Sequence, residues 1–406
     1  MTRAAPTGRP DGPPGTDRTL RDWQARAVAA YHAASSPDFL VTATPGSGKT
    51  TLALTIAIQL RQARAVDRVI VVVPTDHLRT QWADAAAAAG LTLDPTVSND
   101  VGPLPAHAHG YVTTYAQVAS RPLLHQARTR ARRSLVVLDE IHHAGDSLSW
   151  GEAVAEAFGP ARRRLALTGT PFRTRPTERI PFVRYDEVAP GELVCVPDYS
   201  YGYRQALADG VVRPVVFAAY TGTSRWLTSA GEVVSASLSE PATRAQEQAA
   251  WRTALDPRGA WVPHVAAAAD SRLADLRAAG IADAAGLMLA GDQATARAYA
   301  RVLAQVTGRA PVVAVSDDPG SSRAIASFAA GGPEDPRWLV AVRQVSEGVD
   351  IPRLAVCVWT TSYRTELFFQ QAVGRVIRAR HRRESATVFL PAVRPLLALA
   401  AAMEAE

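Results

Sequence analysis

The sequence predicts an α/β protein with two lobes, each a parallel sheet with helices on both faces, joined by a partly helical connector. Three observations lead to this fold class. Short apolar strands alternate with helices in the first part of the chain, the alternation weakens between residues 190 and 280, and it returns after residue 283. The length of 406 residues also exceeds what one compact domain usually holds.

The first lobe is expected to span residues 18–190. Its predicted strands are the apolar runs 39–44, 69–73, 111–114, 135–138 and 165–168. The run 69–73 contains only Val and Ile, which is typical of a strand covered on both faces. Helices are predicted at 49–63 and 76–89, and Gly90 closes the second of them.

The rest of the chain divides into a connector and a second lobe. Residues 191–282 are predicted to form the connector with a helical insertion, and residues 283–406 form the second lobe. The strands predicted in that lobe are 287–290, 312–315, 338–342, 356–360 and 387–390. Residues 1–17 are polar, rich in Pro and Gly, and lack the apolar core of a signal peptide, so a disordered leader is expected.

Composition excludes several classes of protein. No apolar run is long enough to cross a bilayer as a helix. The two cysteines, Cys195 and Cys357, are far apart and provide neither a disulfide framework nor a zinc-binding cluster. The sequence therefore predicts a cytoplasmic protein.

The charge is compatible with a polyanionic partner but is weak evidence for one. The formal net charge is +6, and Lys49 is the only lysine among 44 basic residues. Such a preference for arginine indicates compositional bias, so the arginine-rich runs at 128–133 and 162–164 are expected to be solvated surface. The single lysine is more informative, because it stands in a glycine-rich loop where a compact ammonium fits better than a planar guanidinium.

That loop, residues 43–50, reads Ala-Thr-Pro-Gly-Ser-Gly-Lys-Thr and lies between a predicted strand and a predicted helix. In this context glycines let backbone N–H groups turn around a phosphate, and the helix N-terminus adds partial positive charge. The alternative is a glycine-rich turn that only caps a helix. The residues expected to bind the nucleotide here are Thr44, Gly46, Ser47, Gly48, Lys49 and Thr50, with the Thr50 hydroxyl at Mg²⁺.

A second candidate site follows the apolar run 135–138, which ends in Asp139 and Glu140. Strand ends of an open α/β sheet are where ligands bind. Asp139 is expected to hold Mg²⁺ through its water shell, and Glu140 to orient and deprotonate the attacking water. An acidic pair alone is usually a solvated strand end, but its place downstream of a phosphate loop favours the catalytic interpretation.

In their order along the chain, these segments resemble the motifs of superfamily 2 helicases of the DExH and DEAD/DEAH-like kind. The resemblance implies two RecA-like lobes. In the first lobe it implies adenine recognition by residues 20–24 and strand contacts by 74–75 and 113–115. It also implies coupling of ATP to the strand by 167–171 and by the histidine that follows the acidic pair. The residues carried over are Gln24, Pro74, Thr75, Thr113, Thr114, His142, Thr168 and Thr170.

The second lobe resembles the same family at residues 346–352 and 371–378. By that resemblance Gly348 contacts the strand and Asp350 the ribose. Gln371 would lie near the phosphates, and Arg375 and Arg378 would reach the γ-phosphate from the second lobe. DEAD-box RNA helicases carry His at the first of these positions, so Gln371 points to the wider group that includes restriction and DNA-repair motors.

The resemblance implies an ATP- and Mg²⁺-dependent helicase or translocase, with DNA favoured as the nucleic acid. Two alternatives remain open: the same engine acting on RNA, or a clamp or switch subunit of a larger restriction or repair complex that does not unwind. Because the chain ends soon after residue 378, a minimal motor or the motor portion of a larger protein is expected.

Overall fold

The computed structural model describes residues 20–405 except 101, 103–104, 146–147, 170–171, 175–178, 228–232, 239–242, 316–319, 343–350 and 381–383. The predicted leader at 1–17, Thr170, Gly348 and Asp350 lie outside the described residues. The chain divides into two compact units. The first comprises Met1–Val41, Lys49–Leu167 and Arg173–Tyr199, and the second comprises Thr42–Gly48, Thr168–Phe172 and Ser200–Glu406. The predicted boundaries of lobes and connector stay predictions.

The main sheet, most of which belongs to the first unit, is built from short strands that are largely buried except at the two edges. They are β1 (Asp38–Ala43), β2 (Arg68–Val73), β3 (Leu93–Asp94), β4 (Gly110–Thr114), β5 (Ser134–Leu138), β6 (Arg163–Thr168) and β10 (Tyr199–Tyr201). The described strands lie in the order β10-β1-β6-β5-β2-β4-β3. The pairs β3–β4, β4–β2, β2–β5 and β5–β6 are parallel. The five strands predicted for this lobe are all present, each within two residues of its expected bounds.

Helices cover this sheet where apolar side chains recur at helical spacing. They are α1 (Asp22–Ala33), α2 (Lys49–Gln62), α3 (Asp76–Ala88), α4 (Tyr115–Ser120), α5 (Pro122–Arg130) and α6 (Leu148–Phe158), with a 3-10 helix at Ile141–Gly145. The predicted helices at 49–63 and 76–89 are α2 and α3. Gly90 takes a φ of +82°, the left-handed conformation that commonly ends a helix.

A small antiparallel sheet follows in the same unit. It consists of β7 (Arg173–Thr174), β8 (Arg184–Ala189) and β9 (Glu192–Val196), in the order β7-β9-β8. Gly191 lies in the turn between β8 and β9 with a φ of +76°. The sequence analysis predicted none of these strands; β8 is exposed along most of its length and has little apolar alternation.

The second unit contains more strand than the connector prediction allowed. Its strands are β11 (Val215–Tyr220), β12 (Thr223–Leu227), β13 (Val233–Ser237), β14 (Ala285–Ala290), β15 (Val312–Ala314), β16 (Trp338–Val342), β17 (Leu354–Thr360) and β18 (Ala386–Pro391). β12 and β13 form an antiparallel pair. β11 was missed because two alanines, which are weak strand formers, occupy its middle and it is only half-buried.

The helices of the second unit are α7 (Tyr203–Ala208), α8 (Arg244–Ala254), α9 (Trp261–Ala278), α10 (Gln293–Thr307), α11 (Ser321–Ala330), α12 (Glu366–Gly374) and α13 (Arg394–Ala405). Its main sheet has the order β11-β18-β17-β14-β16-β15, and every one of these pairs is parallel. The central strands β14, β16 and β17 are buried along their whole length. Such strands need helices on both faces, which explains their nearly continuous apolar sequence.

The core of this unit lies between the sheet and helices α9 and α10. Buried side chains from both helices pack with residues of β14, β16 and β17. Gly286 leaves space for the Trp338 ring, which any side chain at position 286 would strike. Phe368 and Phe369 on α12 are 2% and 0% exposed.

Two arginines expected on solvated surface are buried instead. The Arg128 guanidinium donates to the main-chain oxygens of Ser98 and Asp100, at 3.1 and 2.8 Å. Arg164 forms an ion pair with Asp38 and donates to carbonyl groups at the end of α6. The expectation was wrong for these two because five N–H donors let arginine satisfy several inward-facing carbonyls at once.

Within the part of the chain that the structure describes, no helix is both long and apolar enough to cross a membrane. Cys195 and Cys357 are both buried and are not joined in a disulfide.

Candidate nucleotide site

The loop between β1 and α2 has the conformation that its glycines permit. Gly46 and Gly48 have φ angles of +78° and +101°, a region that side-chain-bearing residues rarely adopt. Ser47 N–H donates to the main-chain oxygen of Thr44 at 3.2 Å. α2 begins at Lys49, so its N-terminal N–H groups and the positive end of its dipole face the loop. These features make the loop suited to an anionic ligand.

Lys49 lies beside the acidic pair in the first unit. Its Nζ is 3.3 Å from Oε1 of Glu140, and the two side chains are 11% and 23% exposed. Asp139 N–H donates to the Val72 main-chain oxygen at 2.9 Å, which extends the pairing of β5 with β2 by one residue. The fold thus brings together Lys49, at the start of α2, and the two carboxylates that follow β5, Asp139 and Glu140.

Glu140 is held in a conformation that costs free energy. Its φ is +48°, in the left-handed region where residues other than glycine are uncommon. A residue in this region costs about 1–3 kcal/mol and persists only where its surroundings hold it. Here Lys49 holds one carboxylate oxygen, and His142 Nδ1 lies 3.6 Å from the other. The backbone turn directs the carboxylate toward the phosphate loop's lysine.

The two carboxyl groups differ in their electrostatic surroundings. Burial and the neighbouring Glu140 raise the pKa of Asp139 above its ordinary value, against smaller opposing effects of Trp82 and Lys49. Burial also raises the pKa of Glu140, but Lys49 and the two following histidines more than offset this and bring it below its ordinary value. Glu140 is therefore ionised at neutral pH, as a residue that orients or deprotonates water must be.

The carboxylate ligands available here fit a Mg²⁺ ion that binds together with a nucleotide. Mg²⁺ takes oxygen ligands and is commonly held by one or two carboxylates together with substrate phosphates. Asp139 is a buried carboxylate beside a second negative charge, a position where a cation would relieve repulsion. Among the described residues, no group of three or more His, Cys, Asp or Glu side chains is placed to hold a metal. A dedicated protein cage is thus absent from that part of the chain.

Two further residues hold Asp139 in place: Trp82, which the sequence analysis did not single out, and Tyr115, which it assigned only to the strand-contact segment 113–115. Trp82 Nε1 donates to Oδ2 of Asp139 at 2.8 Å, and the Tyr115 hydroxyl donates to its main-chain oxygen at 2.9 Å. Trp82 and Tyr115 are 3% and 0% exposed. No spacing rule connects a tryptophan on α3 with a carboxylate after β5, so only the fold reveals this contact.

Comparison with known proteins places this geometry in context. Residues 17–173 match the family model described as type III restriction enzyme, res subunit. An uncharacterized protein of Mycobacterium tuberculosis is 56% identical over 387 residues, which are 95% of this chain and 64% of that protein. A protein of Mycobacterium leprae, also uncharacterized, is 53% identical over 389 residues, covering 96% of this chain and 64% of that one. The chain thus spans 64% of the length of these curated relatives.

Solved structures share the architecture at low identity. A fragment described as the HsdR subunit of a type I restriction enzyme from Vibrio vulnificus has a TM-score of 0.63 at 19% identity, over 94% of this chain and 65% of that chain. The DNA-bound Type ISP restriction-modification enzyme LlaBIII has a TM-score of 0.60 at 16% identity, over 93% of this chain and 28% of that chain. Dbp5 of S. cerevisiae, bound to RNA and ADP BeF3, has a TM-score of 0.57 at 12% identity, over 95% of this chain and 86% of that chain.

The chain has the fold of the superfamily 2 helicases. Its two parallel sheets flanked by helices correspond to the two RecA-like lobes of these structures. The prediction of an α/β protein with two such lobes is confirmed. The roles that the resemblance assigns to single residues stay predictions. The positions of those residues that the structure describes are as follows.

Several side chains lie at defined positions in the segments of the first lobe that resemble helicase motifs. Gln24 is 3% exposed on α1, and its Oε1 accepts from the Arg21 N–H at 2.9 Å, which caps the helix. Thr50 is half-buried in the first turn of α2. Thr168 is the fully buried last residue of β6. His142 is buried in the 3-10 helix, with its ring centroid 4.5 Å from that of His143.

The predicted strand-contact residues of the first lobe follow two neighbouring strands. Pro74 and Thr75 come directly after β2, and Thr75 precedes α3. Thr113 and Thr114 end β4 and are 1% and 5% exposed. The Thr113 hydroxyl donates to Gln117 at 2.9 Å, and the Thr114 hydroxyl accepts from the Gln117 N–H at 3.2 Å. These bonds fix the start of α4.

The segment 371–378, which resembles the last helicase motif, lies on α12 and the turn after it. Gln371 is half-buried on the helix, Arg375 is its C-terminal capping residue, and Arg378 lies three residues further on. Arg213, which the site prediction did not include, donates from its main-chain N–H to the Ile377 oxygen and from Nε to the Val376 oxygen, both at 2.7 Å. Arg213 therefore fixes the backbone between the two predicted arginines.

Proposed function

We propose that this chain is a nucleic-acid-dependent ATPase that works as a helicase or translocase, with DNA as the favoured strand. The observation that carries the proposal is the pairing of Lys49 with Glu140 beside the buried Asp139. A phosphate loop with its lysine, a carboxylate for a magnesium ion and an ionised carboxylate for water are the parts that nucleotide hydrolysis requires.

In this proposal Lys49 binds the β- and γ-phosphates, and the Thr50 hydroxyl would bind the Mg²⁺ that accompanies the nucleotide. Mg²⁺, when bound with the nucleotide, neutralises charge on the phosphates. Asp139 holds that ion through water, and Glu140 orients the attacking water and accepts its proton. Gln24 and Asp350 are proposed to bind the nucleoside, as the family resemblance implies, and Thr44 to bind the nucleotide as part of the phosphate loop.

For Arg375 and Arg378 we propose stabilisation of the negative charge that develops on the transferring phosphoryl group, with Gln371 near the phosphates. An arginine in that role contributes about 10³–10⁵ in rate. Pro74, Thr75, Thr113, Thr114 and Gly348 are proposed to contact the strand, and His142, Thr168 and Thr170 to couple it to the nucleotide. Contacts to phosphates would make binding sensitive to salt and tolerant of sequence.

The decisive test measures ATP hydrolysis by the wild type and by Glu140→Gln, with no nucleic acid, single-stranded DNA, duplex DNA and RNA. We expect DNA to stimulate the wild type. The variant should lose roughly 10²–10⁴ in rate while it still binds ATP, because only the general base is removed. Absence of hydrolysis under every condition would refute the proposal for this chain.

The same assays separate the alternatives. Stronger stimulation by RNA than by DNA at equal salt would identify an RNA motor. Stimulated hydrolysis without duplex opening or triplex displacement would identify a clamp or switch. DNA is favoured because the family model matched is that of a restriction enzyme subunit and LlaBIII is bound to DNA, whereas Dbp5 is bound to RNA.

A further inference from the structure

Asp139 is bonded from two different helices of the first unit. The Trp82 indole on α3 donates to its carboxylate, and the Tyr115 hydroxyl at the start of α4 donates to its main-chain oxygen, at 2.8 and 2.9 Å. All three residues are buried. An indole N–H can only donate, so the bond from Trp82 fixes which carboxylate oxygen faces α3.

Both helices begin at the segments proposed to contact the strand. α3 starts at Asp76, directly after Pro74 and Thr75, and Trp82 lies about two turns along it. α4 starts at Tyr115, directly after Thr113 and Thr114. Each proposed strand-contact segment is therefore joined, through one short rigid element, to a hydrogen bond on the same aspartate.

Further contacts tie the two segments to each other. Arg79 on α3 donates from Nε to the Val112 main-chain oxygen on β4, at 3.3 Å, and from Nη2 to that of Val97, at 2.8 Å. β2 and β4 are paired in parallel, from Val69 with Gly110 to Val73 with Thr114. A displacement of either segment is thus transmitted to α3, α4 and the Asp139 carboxylate through close-packed, bonded groups.

We propose that Trp82 and Tyr115 are positioning residues that couple strand binding to binding of the magnesium–nucleotide complex. The inference rests on the proposed function and adds the route by which the strand acts on the nucleotide. Strand contact at the ends of β2 and β4 sets the position of α3 and α4, and these set Asp139. By thermodynamic reciprocity, the magnesium–nucleotide complex strengthens strand binding by the same factor.

The chain offers a matched control in the second unit. Trp338 is 2% exposed, and its Nε1 donates to Oδ1 of Asp270 at 2.8 Å. Trp338→Phe therefore removes the same kind of buried indole-to-carboxylate bond as Trp82→Phe, away from the proposed site. Tyr115→Phe removes the second contact on Asp139 while keeping the ring, and serves if the first variant folds poorly.

The experiment measures binding rather than turnover. Fluorescence anisotropy would give the affinity for a labelled oligo-dT strand, with and without a non-hydrolysable ATP analogue. The affinity for a fluorescent ADP would be measured with and without Mg²⁺. In the wild type we expect the analogue to change strand affinity by about 5–150-fold. Trp82→Phe should lose most of this factor and of the Mg²⁺ effect on ADP, yet bind the strand alone as the wild type does.

Three outcomes would count against the inference. Trp82→Phe and Tyr115→Phe that both keep the wild-type coupling factor would refute it and leave the proposed function intact. Equal loss of coupling in Trp338→Phe would refute it too, because the effect would then follow from any buried tryptophan. A wild type that binds neither ADP nor the strand would refute the proposed function, and the inference with it.

Discussion

Arg213 and Glu384 form an ion pair from which water is excluded, with side chains 1% and 2% exposed. The same guanidinium donates to the main-chain oxygens of Val376 and Leu354, so three separate stretches of the second unit meet at Arg213. Burial of such a charge is tolerated only when its donors are satisfied. The pair therefore determines whether the turn after α12 keeps its shape.

Arg213→Met should destabilise the second unit by roughly 3–5 kcal/mol, because the buried Glu384 carboxylate would lose the guanidinium that balances its charge. Urea denaturation followed by tryptophan fluorescence measures this, since most tryptophans of the chain lie in that unit. The exposed pair Arg258–Asp256 provides the control: Arg258→Met should change stability little, because water already screens that pair. Equal effects of the two substitutions would contradict the interpretation of the buried pair.

The single lysine allows a direct test of the phosphate loop. An acyl-phosphate derivative of ATP, which transfers a tag to amines near the phosphates, should label Lys49 and be displaced by excess ATP, as read by peptide mass spectrometry. Arg61→Lys at the end of α2 adds a second ε-amine as a control, and it should stay unlabelled. Tagging of the chain's α-amino group alone would contradict the assignment of Lys49.

Arg375→Ala and Arg378→Ala should each lower the stimulated rate of ATP hydrolysis by about 10³–10⁵, if each acts on the transferring phosphoryl group. ATP affinity should change much less, because the lost charge acts mainly in the transition state. Arg309→Ala, at an exposed position after α10, should keep the wild-type rate. A loss of affinity with an unchanged maximal rate would instead assign the two arginines to nucleotide binding.

Stability should fall on acidification through His125. Burial, with Arg128 adding a smaller effect, lowers the pKa of His125 from 6.5 to about 4. The neutral side chain makes two hydrogen bonds, with the Tyr111 hydroxyl at 3.1 Å and with Oδ1 of Asn99 at 3.0 Å. Asn99 Nδ2 donates to Gln117 and Ser120, so its oxygen accepts from His125 Nε2.

The unfolded chain takes up a proton at His125 near pH 6.5, while the folded chain does so only near pH 4. The unfolded state therefore binds more protons in this window, and His125 contributes a loss of roughly 3 kcal/mol as the pH falls through it. Denaturation curves of the wild type and His125→Gln between pH 7 and 4 would measure it. The variant should lose less stability over that range, and parallel curves would exclude His125 as the cause.

The sequence predicted those features that depend on local patterns. The apolar runs around 69–73 and 338–342 became buried strands, and the phosphate loop took the positive φ angles that its glycines allow. Lys49, Asp139 and Glu140 could be placed together because strand ends of a parallel sheet share one edge.

Contacts between distant segments could not be predicted in this way. Trp82 and Asp139 are 57 residues apart, and nothing in the pattern of α3 distinguishes a tryptophan that bonds a carboxylate from one that only fills the core. Arg128 and Arg164 were assigned to the surface from composition. Both are buried, because their guanidinium groups donate hydrogen bonds to main-chain carbonyl groups of loops and helix ends. Such contacts depend on how helices and strands pack together, and the pattern of apolar residues along one sequence does not predict that packing.

The order of strands in the second sheet has a consequence for how this chain is made. Among the described strands β11 pairs only with β18, so the strand that begins at Val215 gains its sheet partner only after the chain has been made through Ala386 and the residues that follow. At about 5–20 residues per second, the ribosome needs roughly 10–30 s to produce the intervening residues. During that interval the apolar strand emerges without its neighbour, which makes it a natural target for chaperones on the nascent chain.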